Sequence, residues 1–263
     1  MEVNSGMNQR IGVGVAGALG RMGRAVAASV ATHPDLVLAA RFDRPGAEDA
    51  TLDSLDAALA GCAVIIDFST AVASSALASR AAARGGPALV IGSTGLSEAD
   101  EAAIGAAALS IAIVKTGNFS VGVNVLAGLV EQAAARLGPE VWDIEVFEAH
   151  HRRKVDAPSG TALLLARAAA RGRGEDLGRV KAAARHGLTG ERAAGSIGFS
   201  VMRGGGIVGD HSVVFAAEDE ILTLSHSARD RGLFARGAVE AALWLPGRAP
   251  GLYDMVDVLG FRG

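Results

Sequence analysis

The chain is short of cysteine, aromatic residues, long apolar runs and net charge, and each shortage narrows what it can be. Cys62 is its only cysteine, so no intrachain disulfide forms and the fold rests on packing. A formal net charge of −3 and a pI near 6.1 leave no basic surface, so no nucleic-acid partner is expected. The Ala-rich stretches are broken by Arg80, Arg84, Arg167 and Arg171 before they reach membrane-spanning length. Met1–Arg10 is polar and lacks the apolar core of a signal peptide, so the expectation is a cytoplasmic protein with no membrane partner. Tandem repeats, heptads and a Pro/Ser-rich linker are missing as well.

Half of the residues are hydrophobic, and 35 glycines with abundant alanine point to closely packed helices and strands. A length of 263 residues allows one large domain or two modest ones, and two is the preferred reading. The run Gly61–Asp67 reads as a buried strand with Cys62 as inert core.

The first half alternates strands and helices. Ile11–Ala16 reads as a strand, Gly17–Gly23 as a glycine-rich turn and Met22–Thr32 as a helix. Gly12–Gly17 matches G-x-G-x-x-G literally but lies inside the strand, too early to meet a pyrophosphate at a helix start. The cofactor turn is therefore read as Gly17, Ala18, Leu19, Gly20, Arg21, Met22 and Gly23. A second strand, Leu36–Phe42, ends in Asp43-Arg44. The acid can bind ribose hydroxyls and the arginine a 2′-phosphate, so NADH and NADPH are both plausible; a solvated Asp-Arg-Pro-Gly turn is the alternative. Strands at Ala63–Phe68, Ala88–Ile91 and Ile111–Val114, with helices at Ala71–Arg84 and Ser97–Ala108, complete a doubly wound parallel sheet. Polar or small residues at 67–70, 92–95 and 116–120 fall at the strand ends, where open α/β sheets hold ligands.

In the second half, Val123–Leu137 and Ser159–Gly172 read as helices, and Trp142–Phe147, Ser196–Arg203, Ile207–Ala216 and Glu220–Ser227 as strands of a mixed or antiparallel sheet. Such a sheet with one uncovered apolar face commonly pairs with another copy, so a homo-oligomer is expected. Arg229–Leu245 reads as a helix and Pro246–Phe261 as an irregular tail.

Residues 148–162, EAHHRRKVDAPSGTA, gather acid/base groups and anion ligands around one helix start. Ser159 or a neighbour would cap the helix, whose free N–H groups can receive an anion. His150, His151, Arg152, Arg153 and Lys154 add titratable groups and positive charge. The segment closely resembles the signature of the 4-hydroxy-tetrahydrodipicolinate reductase family, nicotinamide-dependent enzymes of bacterial and plant lysine biosynthesis.

That resemblance implies hydride transfer from NAD(P)H to the ring of a small cyclic dicarboxylate, 4-hydroxy-tetrahydrodipicolinate, with loss of water. His150 then matches the general acid and Lys154 its partner. His151, Lys154, Gly160, Thr161 and Arg231 would hold the two carboxylates. The turn from Gly17 to Gly23 matches the family's variant of the dinucleotide fingerprint. Gly92, Ser93 and Thr94, and the segment Thr116, Gly117, Asn118 and Phe119, would flank the nicotinamide. It further implies a homotetramer and a tail that returns to the cofactor domain, giving 1–120 with 232–263 as the dinucleotide-binding domain and 121–231 for substrate and assembly. Closure of a cleft between them would exclude water. Two departures stand out: Asp43 replaces the family's usual Glu, with Arg21 a second candidate for the 2′-phosphate, and the Arg44–Leu55 connection is short where many members carry a longer loop and an extra strand.

His211, His226 and His186 are read as structural and His33 as surface. A metal site is not expected, because Glu145, Glu148 and Asp156 do not fall at ligand spacing with His150 and His151 and their basic neighbours oppose a cation. Serine chemistry lacks a Gly-x-Ser-x-Gly elbow, and thioester chemistry lacks a placed cysteine. The remaining rivals are an NAD(P)H oxidoreductase acting on another small dicarboxylate and a non-catalytic dinucleotide sensor.

Overall fold

Short branched-aliphatic runs separated by Ala-rich helices build the first of two units, and the computed structural model describes residues 10–47, 49 and 51–261. The polar opening segment, residues 1–9, lies outside the described residues, as do Glu48 and Ala50 of the short connection. One unit falls within Met1–Phe119 and Gly232–Gly263, the other is Ser120–Arg231.

In the first unit, strands β1 (Ile11–Ala16), β2 (Leu36–Phe42), β3 (Val64–Asp67), β4 (Ala88–Ile91) and β5 (Ala112–Lys115) are joined by helices α1 (Arg21–Thr32), α2 (Leu55–Gly61), α3 (Ala71–Ala82) and α4 (Glu98–Ala107). All pairings are parallel, and the order is 5-4-3-1-2 with one further strand beside β5. The strands are apolar along their length because a parallel sheet is covered on both faces. Leu59, Leu77, Ala81 and Ile104 from α2–α4 bury against Ile65, Leu89, Ile91 and Ile113. Val64, Ile66 and Val90 point to the other face, where α8 (Gly232–Trp244) packs on β3 and β4 and against α1. The approach of α8 is close: a Cβ on Gly237 would lie 1.7 Å from the carbonyl oxygen of Phe119, so only glycine fits.

Two expectations are corrected here. The tail is not irregular: β10 (Gly251–Tyr253) adds a sixth parallel strand beside β5, followed by α9 (Met255–Val258) with an Asp254/Asp257 capping box. Backbone pairing, which apolar periodicity does not report for three residues, decides that strand. Cys62 is not a strand residue. It is the half-buried C-cap of α2, a helix the sequence reading passed over, and burial pushes its thiol up to about 11. In the connection after β2, Arg41 and Asp53 clip the ends together, with Arg41 N donating to Asp53 Oδ2 at 2.8 Å and Asp53 N to the Arg41 carbonyl at 2.6 Å. Among the described residues no strand lies between β2 and α2.

The second unit is a four-stranded mixed sheet carrying two main helices. Its elements are α5 (Val121–Ala134), β6 (Asp143–His150), α6 (Gly160–Gly172), α7 (Leu177–Val180), β7 (Ile197–Arg203), β8 (Asp210–Ala216) and β9 (Ile221–Ser227). The order is β7-β6-β8-β9, parallel between β6 and β7 and antiparallel elsewhere. Alternation sends Ile144, Val146, Ile197, Val213 and Phe215 under α5 and α6, where Leu126, Val130, Leu165 and Ala166 meet them. On the opposite face Phe147, Met202 and Ile221 are 37%, 48% and 70% exposed. Register sets Glu148 opposite His211 and His150 opposite Arg203, at the end of β6 that leads into the basic loop.

Candidate active site

In the first unit the polar groups gather at the carboxyl ends of the strands. Gly17 takes φ +68°, Gly20 N donates to the Gly17 carbonyl at 3.0 Å, and α1 then begins with no side chain capping it. A Cβ on Gly23 would stand 2.1 Å from the Gly17 carbonyl oxygen, so the helix can start this close to the turn only with glycine there. The literal G-x-G-x-x-G match lies mostly within β1, as the sequence reading required. Asp43 is tied to the turn from above: Oδ2 accepts Leu19 N–H at 2.8 Å and Oδ1 accepts Arg44 N–H at 2.8 Å. Ala18 is buried, Leu19 and Met22 are half-buried, and Arg21 and Arg44 are exposed beside the turn. An uncapped helix start, a turn without room for a Cβ and an anchored acid at the end of β2 together fit a dinucleotide.

The other strand ends are held by Asp67, which the sequence reading left without a role. Its buried carboxylate accepts Ser69 N–H at 2.8 Å and the Ser74 hydroxyl at 2.5 Å, and the Ser74 hydroxyl lies 2.7 Å from that of Ser93. Burial pushes the Asp67 carboxyl above its usual range even against those hydrogen bonds. The chain fixes the Gly92-Ser93-Thr94 loop, with Ser93 buried and Thr94 exposed. Gly92 has no space for a side chain because the Phe68 ring would lie 2.3 Å from its Cβ, and Phe68 meets Phe119 edge-on at 5.6 Å. Thr116 Oγ1 accepts Asn118 N–H at 3.2 Å, shaping the turn through the exposed Gly117.

In the second unit the site grows from the end of β6. His150 is buried, and its Nδ1 lies 2.5 Å from Glu148 Oε2. Glu148, fully buried, also accepts both ends of the Arg203 guanidinium at 2.8 Å and Ser159 N–H at 3.0 Å. Burial alone would raise this carboxyl, but the bonds from Arg203, His150 and Ser159 hold it below the usual carboxylate range. Ser159 Oγ caps α6 by accepting Ala162 N–H at 3.1 Å and pairs with His211 Nε2 at 3.2 Å. Burial pushes His211 down to about 4, so it is neutral near pH 7, and its ring sits edge-on to His150 at 5.0 Å.

Around this core, His151 Nε2 is 3.4 Å from Arg231 Nη2, and desolvation with nearby Arg153 and Arg231 lowers the His151 pKa. The Lys154 ammonium is 2.8 Å from Asp156 Oδ1, and Gly160 and Thr161 form the first turn of α6. His150, His151, Lys154, Gly160, Thr161 and Arg231 therefore all belong to one unit. Among the described residues no group of three or more His, Cys, Asp or Glu side chains could hold a metal ion, and no helix is long and apolar enough to cross a membrane. His226 is half-buried opposite His211, His33 is half-buried at the end of α1, and His186 is exposed. The exposure of His186 departs from its structural reading: it lies on an open loop, not in a strand.

Sequence reasoning missed Glu148 and Arg203 as site residues. Glu148 was within reach of it, since two residues along a strand return to the same face. The expected strand stopped at Phe147, whereas β6 runs to His150. Arg203 had no local signal; only strand register brings it to Glu148.

Family models described as dihydrodipicolinate reductase, N-terminus and C-terminus, match residues 11–119 and 122–259. A Caulobacter vibrioides protein named 4-hydroxy-tetrahydrodipicolinate reductase is 60% identical over 97% of this chain and 100% of its own length. A Rhizobium rhizogenes protein of the same name is 52% identical, covering 94% of this chain and 95% of its own. Among solved structures, dipicolinate-bound dihydrodipicolinate reductase from Paenisporosarcina sp. TG-14 superposes with a TM-score of 0.78 at 22% identity, covering 95% of this chain and 99% of that one.

Proposed function

The chain belongs to the dihydrodipicolinate reductase family, and from that footing we propose that it reduces 4-hydroxy-tetrahydrodipicolinate to tetrahydrodipicolinate with NADH or NADPH, releasing water, in lysine biosynthesis. The observation that carries the reading is the array at the end of β6: His150 held on a buried carboxylate, followed within one loop by His151, Lys154 and the first turn of α6.

Net turnover takes one hydride and one proton, and the leaving hydroxyl departs as water. Reduced nicotinamide, when bound, supplies the hydride. His150 supplies the proton from Nε2, and Lys154 donates a hydrogen bond to charge that develops on the substrate. His151, Lys154 and Arg231, with the backbone of Gly160 and Thr161, take the two carboxylates. Dipicolinate, carried by the Paenisporosarcina enzyme, is a planar dicarboxylate of this class. Gly17, Ala18, Leu19, Gly20, Arg21 and Met22 receive the pyrophosphate, and Asp43 the adenosine ribose. Arg44 or Arg21 meets a 2′-phosphate, which supports use of both cofactors. Gly92, Ser93, Thr94, Thr116, Gly117, Asn118 and Phe119 line the nicotinamide end. Residues 1–120 with 232–263 form the cofactor domain and 121–231 the substrate and assembly domain. The open face of the second sheet supports a homotetramer, and a biosynthetic role drawing on nicotinamide pools supports a cytoplasmic location.

Purified protein, freshly generated substrate and NADPH give a loss of nicotinamide absorbance. His150→Gln lowers turnover by about 100-fold with little change in KM, whereas Lys154→Ala damages both. Cofactor binding without turnover of this substrate by the unaltered protein would sink the proposal and leave the sensor reading in its place.

A further inference from the structure

Resting on the proton-donor role of His150, we propose that Glu148 is a positioning residue that holds the imidazole in its Nδ1–H form, so the proton passed to substrate is always the one on Nε2. The carboxylate accepts three N–H donors, Arg203 Nη1 on Oε2 and Arg203 Nη2 with Ser159 N on Oε1, and His150 Nδ1 lies 2.5 Å from Oε2. The Arg203 guanidinium and the Ser159 amide hold the carboxyl below the usual carboxylate range, so it is ionised and toward Nδ1 can only accept. Nδ1 must then carry a hydrogen, in the charged ring and in the neutral ring left after proton transfer. The free position is Nε2. It faces Gly209, where a Cβ would come within 3.1 Å, and glycine there keeps the approach open.

The surroundings bear on whether Glu148 acts by charge as well as by geometry. From β6 comes Glu148, from the loop that follows it His151, from β7 Arg203, from β8 His211 and Asp210, and from β9 His226. Lys154 and Asp156 pair in the loop, and Arg231 lies by His151. His211 is neutral, and the full charges bonded in this network are Glu148 and Arg203, which oppose one another. Arg203 therefore anchors the carboxylate, leaving a directed acceptor for Nδ1–H and a carboxylate in direct contact with the charged ring. The pairing is the logic of a base oriented by a buried acid, with the histidine working in the acid direction.

The test uses the full-length protein. Glu148→Gln presents an amide NH₂ to Nδ1, and kcat is expected to fall about 100-fold with both KM values within about threefold. Glu148→Asp keeps the charge and recovers part of the loss. In a His150→Gln background, adding Glu148→Gln costs less than about threefold, since a residue acting through His150 has nothing left to act on. Losses that multiply in the double variant would overturn the proposal. Nitrogen NMR of unaltered, histidine-labelled protein reads the tautomer directly and decides even if Glu148→Gln does not fold. A proton on Nε2 with bare Nδ1 in neutral His150 would also overturn it. An unaltered protein inactive on the substrate counts against the reductase reading, while the same spectra still report on Glu148.

Discussion

At the scale of single residues, the site is organised by which groups are allowed to be charged. Glu148 is fully buried and ionised because Arg203 clamps it, whereas His211, one strand away, is buried without such a partner and stays neutral. The His211 pKa is about 4 in the fold against 6.5 when unperturbed, so between those values the unfolded chain binds more protons. Stability from this group is then present above about pH 6.5 and is lost as pH falls toward 4, by about 3 kcal/mol at the acid end. Carboxylates held low in the fold, Glu148 and Glu145 among them, lose stability in the same direction at lower pH. Thermal unfolding from pH 7.5 to 5 therefore shows a falling midpoint in the unaltered protein and a shallower fall in His211→Gln. Equal slopes would remove His211 from the account.

At the scale of elements, the start of α1 shows how local sequence and close packing combine. The spacing of Gly17, Gly20 and Gly23 was legible because a tight turn feeding a helix demands small residues at those points. Gly23→Ala drives a Cβ against backbone, not against a movable side chain, so the turn must open. Cofactor affinity drops at least about tenfold and the midpoint falls with it. Gly105→Ala in α4 is the control. Nothing lies within 4 Å of its Cβ, so it stabilises by about 0.5–1 kcal/mol with cofactor binding unchanged. Equal effects of the two substitutions would refute the close-packing argument.

For the whole molecule, the open face of the second sheet sets the expectation. Phe147, Met202 and Ile221 project from three strands of that face, and single large apolar residues become a patch only when strands align them. Met202→Glu with Ile221→Glu places charge across it, and sedimentation shows smaller species than the unaltered chain forms. An unchanged sedimentation profile would remove this face from the assembly proposal.

What the sequence by itself determined is local: element types, the glycine turn, and the concentration of acid/base groups at residues 148–162. Their physics is short-range, in apolar periodicity, turn chemistry and capping. β10 was missed because three residues become a strand only when β5 offers its edge. The Asp67–Ser74–Ser93 chain and the Arg203–Glu148–His150 array needed the tertiary structure too. Each joins side chains from separate elements, and pairing register, which no local segment encodes, decides that they meet.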